Sequence, residues 1–190
     1  MRDAGLPLRK REGAGLTPAP KRTCQNFDLD RRLAVTDTIE NRLRLLEDEA
    51  EIHRLAARFS DAANERDNEA FLSLWANAGA VWEIGEPLPA RAEGREAIAA
   101  LFEALNKIQR YFMQMTHSGV VTLAGDRATA RFVMREHGLG DGAFYDNLAV
   151  YNDVLVRETG GWRFLERHYS YRFLNQEPFK DEAFPSGPST

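Results

Sequence analysis

The sequence predicts an α+β domain in which three helices precede a meander of antiparallel strands. Apolar residues recur at helical spacing from Ile39 to Phe59, which is typical of an amphipathic helix. From Tyr111 onward the pattern changes to period two, in four runs separated by glycine-containing turns, which indicates consecutive strands. Helices first and strands afterwards favour a long N-terminal helix and two shorter helices packed on one face of a curved, mostly antiparallel sheet.

The helical half begins at a capping signal. In residues 37–40, Asp-Thr-Ile-Glu places an acid three positions after an N-cap residue, and the first helix follows. We expect that helix to bend or break near residues 47–49, because its pattern continues for about seven turns. A second helix is predicted over 70–75, a short strand over 80–84, and a third helix after Gly94.

Four runs of alternating residues make up the second half. Turn signals at Gly125-Asp126, residues 138–142 and residues 159–161 separate them. Connections this short make neighbouring strands antiparallel. The predicted strands are 111–124, 127–137, 144–156 and 161–174.

The sequence predicts three parts: a basic arm over 1–35, a domain over 36–175 and a flexible tail over 176–190. Residues 1–32 carry eight basic and four acidic side chains, scattered among Gly, Pro and Ala. This pattern favours a disordered arm over 1–35, or an over-extended gene start, above nucleic-acid contact. The whole chain has a net charge of −4, so the domain is acidic and no nucleic-acid partner is expected.

Composition excludes several classes of protein. The chain is 43% hydrophobic, which suits a globular core, but no apolar run approaches the roughly 18 residues of a membrane span. The first 30 residues lack the apolar stretch of a secretory signal. The single cysteine, Cys24, allows neither an internal disulfide nor a thiolate cluster. We therefore expect a cytoplasmic protein with no membrane association, no metal site and no nucleotide cofactor.

Two titratable residues are candidates for acid–base chemistry. On strict alternation His117 points inward with Met113 and Met115, although a lone inward histidine is more often structural. Asp61 and Asn64 are three apart near the end of the first helix and share a face, although an aspartate in an amphipathic helix is more often solvated. If both faced the interior, Asp61 would hold the imidazole tautomer and His117 would take a proton.

The order of motifs resembles the SnoaL-like branch of the nuclear transport factor 2 (NTF2) superfamily. The resemblance covers most of residues 36–175. It rests on Arg58-Phe59-Ser60-Asp61, Arg66-Asp67, Phe71 through Trp75, Ala80-Val81-Trp82-Glu83, Glu93 through Ile98, Thr116-His117-Ser118-Gly119, residues 151–157, Gly161-Trp162-Arg163-Phe164 and Arg167.

The resemblance implies a cone-shaped fold and a helix-Asp, strand-His pair like that of scytalone dehydratase and hexachlorocyclohexane dehydrochlorinase. In this sequence the residues that correspond to this pair are Asp61 and His117. Three positions depart from the family pattern. Asn64 occupies the slot three before Asp67, where many members have Asp, Val154 stands where the dehydrochlorinase has Arg, and Ala63 replaces the pocket tyrosine of the dehydratase. Dehalogenation is therefore not predicted. The residues expected around the pocket are Asn64, His137, Tyr151, Tyr145, Asn147, Glu83, Met115 and Trp82.

The predicted function is that of a cofactor-independent lyase, dehydratase-like, or an isomerase acting on a small apolar cyclic or hydroxylated molecule. The alternative is a non-catalytic ligand-binding module, or a scaffold resembling the small subunit of ring-hydroxylating dioxygenases. A homo-oligomer, either dimer or trimer, is expected because the open sheet face of the resembled family invites pairing.

Overall fold

The computed structural model describes residues 38–140 and 143–178. The predicted arm over 1–35 and residues 179–190 of the predicted tail lie outside this part of the chain. The elements are α1 (Ile39–Asn64), α2 (Asn68–Ser73), β1 (Val81–Ile84), β2 (Ala90–Glu93), α3 (Arg95–Ile108), β3 (Gln109–Ala124), β4 (Arg127–Gly140), β5 (Ala143–Glu158) and β6 (Gly161–Pro178).

The described strands form one six-stranded sheet with the order β2-β1-β6-β5-β4-β3. Strands β3 to β6 are sequential antiparallel neighbours, and β1 joins β6 in parallel. The predicted α+β class is confirmed. The sequence did not predict β2, and β6 continues to Pro178, so residues 176–178 belong to a strand and not to the tail.

Helix α1 is continuous, so the predicted break near residues 47–49 is wrong. Thr38 caps its start by accepting a hydrogen bond from the backbone N–H of Asn41 at 3.2 Å. Asp48 is buried, accepts a hydrogen bond from Trp162 Nε1 at 3.3 Å and forms an ion pair with Arg157. The acidic turn is therefore anchored to β5 and β6, where its charge has partners.

An aromatic core lies between the helices and the inner face of the sheet. The ring of Phe59 packs edge-on against Trp82, Tyr151 and Phe164 with centroid distances of 5.5–6.1 Å. Phe71 stacks on Phe102 of α3 at 3.8 Å. Since α1, α2 and α3 each contribute a ring, aromatic packing fixes the position of all three helices over the sheet.

A buried ion pair lies inside this core. Arg167 and Asp153 are both buried, with Nε to Oδ1 at 2.9 Å and Nη2 to Oδ2 at 3.2 Å. The guanidinium lies over the rings of Phe59, Tyr151 and Phe164 at 3.8–4.1 Å. Burial raises the pKa of Asp153 to about 6, against the opposing effect of Arg167. The pair compensates two opposite charges in the core.

Candidate functional site

A cavity of about 350 Å³ opens between the helices and the concave face of the sheet. Its wall is mainly apolar and aromatic, with rings from α1, α2, α3, β1, β3 and β6. Leu88 and Ile108 line it while 50% and 58% exposed, which marks the entrance. A concave apolar space with a few polar groups is the usual form of a small-molecule site. The aromatic residues of the wall include Phe59, Phe71, Trp82, Phe102, Phe112 and Tyr171.

Glu136 of β4 supplies a buried carboxyl group to this cavity. Gln114 Nε2 donates to its Oε1, and Asn147 Nδ2 donates to its Oε2 at 3.2 Å. Burial raises the pKa of Glu136, and the hydrogen bonds from Gln114 and Asn147 act in the opposite direction. A carboxyl group in this environment can hold or release a proton at a higher pH than an exposed one.

Neighbouring strands position this carboxyl group. Register places Glu136 opposite Gln114 of β3 and Asn147 of β5. The hydroxyl of Ser60 donates to Gln114 Oε1 at 2.9 Å, and the hydroxyl of Tyr169 donates to Asn147 Oδ1 at 2.6 Å. Both amides are therefore oriented with their N–H groups toward Glu136.

Asn64 has a structural role beside the cavity. Its Nδ2 donates to the carbonyl of Gln114 at 3.0 Å, and its Oδ1 accepts from the backbone N–H of Gln114 at 2.7 Å. Strand β3 is at the edge of the sheet, so these backbone groups have no partner strand. The Asn64 side chain takes the place of a neighbouring strand, and its two hydrogen bonds fix the position of Gln114 beneath α1.

A bulge in β3 changes which residues face the cavity. Thr116 pairs with Met134 and Gly119 pairs with Phe132, so β3 contains one extra residue between the two pairs. Before the bulge the inward residues are Gln114 and Thr116, and after it the alternation is reversed.

The bulge also decides the orientation of His117, which is exposed. The prediction that His117 points inward is therefore wrong. Asp61 is exposed as well, because α1 turns Ser60 and Ala63 toward the sheet instead. Neither Asp61 nor His117 lines the cavity, and the structure does not bring the predicted pair to it.

Two of the predicted pocket residues, Tyr145 and Trp82, line the cavity. Asn147 does not line it but donates a hydrogen bond to Glu136. Tyr151 is buried behind Trp82 and accepts a hydrogen bond from Trp82 Nε1 at 3.3 Å.

Three further predicted pocket residues do not line the cavity either, and their side chains lie away from Glu136. Met115 follows Gln114 and lies on the opposite face of β3. His137 lies on the face opposite Glu136, with Nε2 3.2 Å from Asp146 Oδ1. Glu83 forms an ion pair with Arg91 away from the cavity.

The functional residues that sequence reasoning missed are Glu136 and Gln114. A signal for Glu136 was present: Ala128, Phe132 and Met134 are buried on one face of β4, and period two places Glu136 on the same apolar face. No comparable signal existed for Gln114, since the assumed alternation of β3 assigned it to the outer face.

Comparison with known proteins identifies the family. The family model described as "SnoaL-like domain" matches residues 44–168. The chain belongs to the SnoaL-like family. The predicted resemblance, including the NTF2-like fold, is confirmed. No curated protein is significantly similar to the chain.

Solved structures share the fold. An NTF2-like protein with a cystatin-like fold from Novosphingobium aromaticivorans is 32% identical, with 72% of this chain and 92% of that chain covered and a TM-score of 0.61. A hexachlorocyclohexane dehydrochlorinase, LinA type 2, is 18% identical, with coverages of 75% and 97% and a TM-score of 0.68. A candidate scytalone dehydratase from N. aromaticivorans is 15% identical, with coverages of 78% and 97% and a TM-score of 0.62.

Residues 38–140 and 143–178 contain neither a membrane-spanning helix nor a cluster of metal ligands. No helix in these ranges has the length and apolar character to span a membrane. The same residues contain no cluster of three His, Cys, Asp or Glu side chains suited to a metal ion.

Proposed function

We propose that this protein is a lyase, dehydratase-like, or an isomerase that binds a small cyclic molecule in the cavity and uses Glu136 as its acid–base group. The observation that carries the proposal is a single buried carboxyl group, held by two amides, in a mainly apolar cavity. Elimination or double-bond migration requires a positioned base, a proton donor and exclusion of water. The chemistry needs no cofactor.

The proton balance of both reactions can be met by Glu136 alone. As a carboxylate, Glu136 takes a proton from a carbon of the ligand, and the electron pair of the broken C–H bond forms a carbon–carbon double bond. In an elimination, a hydroxyl group leaves from the adjacent carbon and takes the proton from Glu136, which releases water. In an isomerisation, Glu136 returns the proton to another carbon. A raised pKa suits both directions of transfer.

The pair of Asp61 and His117 stays a prediction with less support. Both side chains are exposed, so a reaction at these residues would take place in water and outside the apolar cavity. Two of the similar structures are named for eliminations, of water and of hydrogen chloride. At 15–18% identity these structures support the fold, and the support for a reaction comes from Glu136 itself.

The test is turnover by Glu136→Gln. This variant keeps the size of the side chain but cannot take a proton. With a panel of hydroxylated cyclic ketones, we expect the wild type to form product and Glu136→Gln to bind the same compounds without turnover. His117→Ala serves as the matched variant and should retain activity. Full activity in Glu136→Gln combined with loss in His117→Ala would reject the proposal in favour of the exposed pair.

A ligand-binding module without catalysis is the second candidate. It is favoured by the two hydrogen bonds that occupy both carboxyl oxygens of Glu136, since a fully bonded carboxylate is a weaker base. Thermal stabilisation by cyclic ligands, with no product formed by the wild type, would identify a binder. Co-purification with a larger subunit would instead indicate a scaffold.

Self-association is proposed to use the outer face of the sheet. Val120, Val133, Leu148 and Phe173 are large apolar residues on that face and are 40–62% exposed. Burying them would favour association. Light scattering should give the mass of a dimer or trimer, and Leu148→Lys should shift the mass toward the monomer.

A further inference from the structure

The hydroxyl of Tyr145 donates to no acceptor among residues 38–140 and 143–178. Tyr145 lines the cavity, and its hydroxyl oxygen accepts a hydrogen bond from Gln109 Nε2 at 2.8 Å. Within the described part of the chain, no hydrogen bond uses the proton of this hydroxyl. Because the oxygen already accepts from Gln109, its own O–H is directed elsewhere and can donate to a ligand.

A glycine fixes the position of this hydroxyl. Gly138 of β4 pairs with Tyr145 of β5, and a Cβ added at Gly138 would lie 2.2–2.4 Å from Cε1, Cζ and Oη of Tyr145. The end of the Tyr145 ring therefore occupies the space that a side chain at position 138 would fill. The hydroxyl has a defined place directly above the strand.

Glu136 lies two residues before Gly138 on the same face of β4. A strand advances by about 3.3–3.4 Å per residue, so the two positions are separated by roughly 7 Å. The wall around the two groups is mainly apolar and aromatic, so the carboxyl of Glu136 and the hydroxyl of Tyr145 are two polar groups in a cavity suited to a ring compound.

The hydroxyl keeps its proton over the whole working range of pH. Burial raises the pKa of Tyr145, and the charge of Glu136 raises it further. Tyr145 can therefore stabilise an oxygen that becomes negative, but it does not act as a base.

We propose that Tyr145 donates a hydrogen bond to a carbonyl oxygen of the ligand, and that the cavity takes ring compounds carrying that carbonyl. The role of the carbonyl in turnover rests on the proposed function of Glu136. When Glu136 takes the proton from the carbon next to the carbonyl, the electron pair moves onto the oxygen to give an enolate. Tyr145 stabilises this charge without transferring its proton. The electron pair on the oxygen then re-forms the C=O bond. The carbon–carbon double bond of the enolate either shifts, as another carbon takes the proton back from Glu136, or expels the hydroxyl group from the adjacent carbon.

The test of the donor compares acetophenone with α-methylstyrene, which replaces the carbonyl by a methylene group of similar shape. In Tyr145→Phe, acetophenone affinity should fall about 3- to 10-fold, as expected for one neutral hydrogen bond. The affinity for α-methylstyrene should stay within twofold. Gly138→Ala, which moves the hydroxyl without removing it, should act in the same direction, and Tyr111→Phe should change neither affinity. Equal losses for both compounds in Tyr145→Phe would overturn the donor role, and failure of the wild type to bind either compound would overturn the ligand class.

The infrared stretch of carbonyl-labelled acetophenone identifies the donor directly. We expect a lower frequency in the wild type than in Tyr145→Phe, because hydrogen bonding weakens the C=O bond. A frequency that is unchanged in Tyr145→Phe but raised in Glu136→Gln would assign the hydrogen bond to Glu136 and reject the inference. A ketone preference that depends on Tyr145, together with turnover that does not depend on Glu136, would reject only the proposed catalysis.

Discussion

Replacement of Asn64 by alanine tests whether this side chain completes the edge of the sheet. In the wild type it makes two hydrogen bonds to the backbone of Gln114, at 2.7 and 3.0 Å. Strand β3 has a strand neighbour on one side only. Removal of the amide therefore leaves a backbone N–H and a backbone C=O unpaired beneath α1.

The magnitude follows from the burial of these groups. Two ordinary hydrogen bonds contribute about 1 kcal/mol each to stability, and a buried polar group left without a partner costs about 1–3 kcal/mol. Gln114 is buried while Asn64 is half-buried, so water can reach part of the site. We expect the free energy of unfolding of Asn64→Ala to be lower by about 2–4 kcal/mol.

Urea denaturation followed by circular dichroism measures this loss. Asn68→Ala is the matched control, because Asn68 is exposed at the start of α2 and should change stability by less than about 0.5 kcal/mol. If Asn64→Ala were as stable as Asn68→Ala, the bonds to Gln114 would not stabilise β3. Asn64 would then be expected to act in the cavity, at the position where many family members have Asp.

Three further predictions concern charges. Arg167→Met should lower the free energy of unfolding by about 3–5 kcal/mol, because the charge of Asp153 stays buried without a partner. In urea denaturation, the double variant that also carries Asp153→Asn should lose less stability than the sum of the two single variants. Additive losses would contradict the pairing. Folding raises the pKa of Glu136 above its ordinary value of 4.5, so the free energy of unfolding should fall as pH rises from about 4.5 through the raised pKa. Over the same range kcat/KM should rise. A Glu136→Gln variant with the same pH-dependent fall in stability would refute this. His117→Ala should leave ligand affinity within twofold, since His117 is exposed, and a loss above tenfold by calorimetry would restore it to the site.

The fold could be predicted because the two periodicities are long. Some 26 residues of helical spacing gave α1, and strands of 14–18 residues gave the meander. Strand β2 was missed because its four residues follow Pro87 and Pro89 and are too few to show alternation. The break expected in α1 failed for another reason: the acidic turn is stabilised by Arg157 and Trp162, which lie more than a hundred residues later in the chain.

The site could be predicted only in part, because one bulge decides the faces of β3. Alternation is reliable along a regular strand, and on β4 it would have revealed Glu136 among apolar neighbours. A bulge depends on the pairing between β3 and β4, which the sequence of β3 alone does not contain. The same limit applies to Asn64, whose function depends on β3 being an edge strand.

The most direct test of the central claim is a carbon-13 NMR titration of the carboxyl group of Glu136, assigned by comparison with Glu136→Gln. The measurement is made with and without acetophenone. We expect this carboxyl to titrate above 4.5, its ordinary value, and to change its shift when acetophenone enters the cavity. A carboxyl that titrates near 4.5 and does not respond to acetophenone would contradict the assignment of the cavity and Glu136 as the functional site.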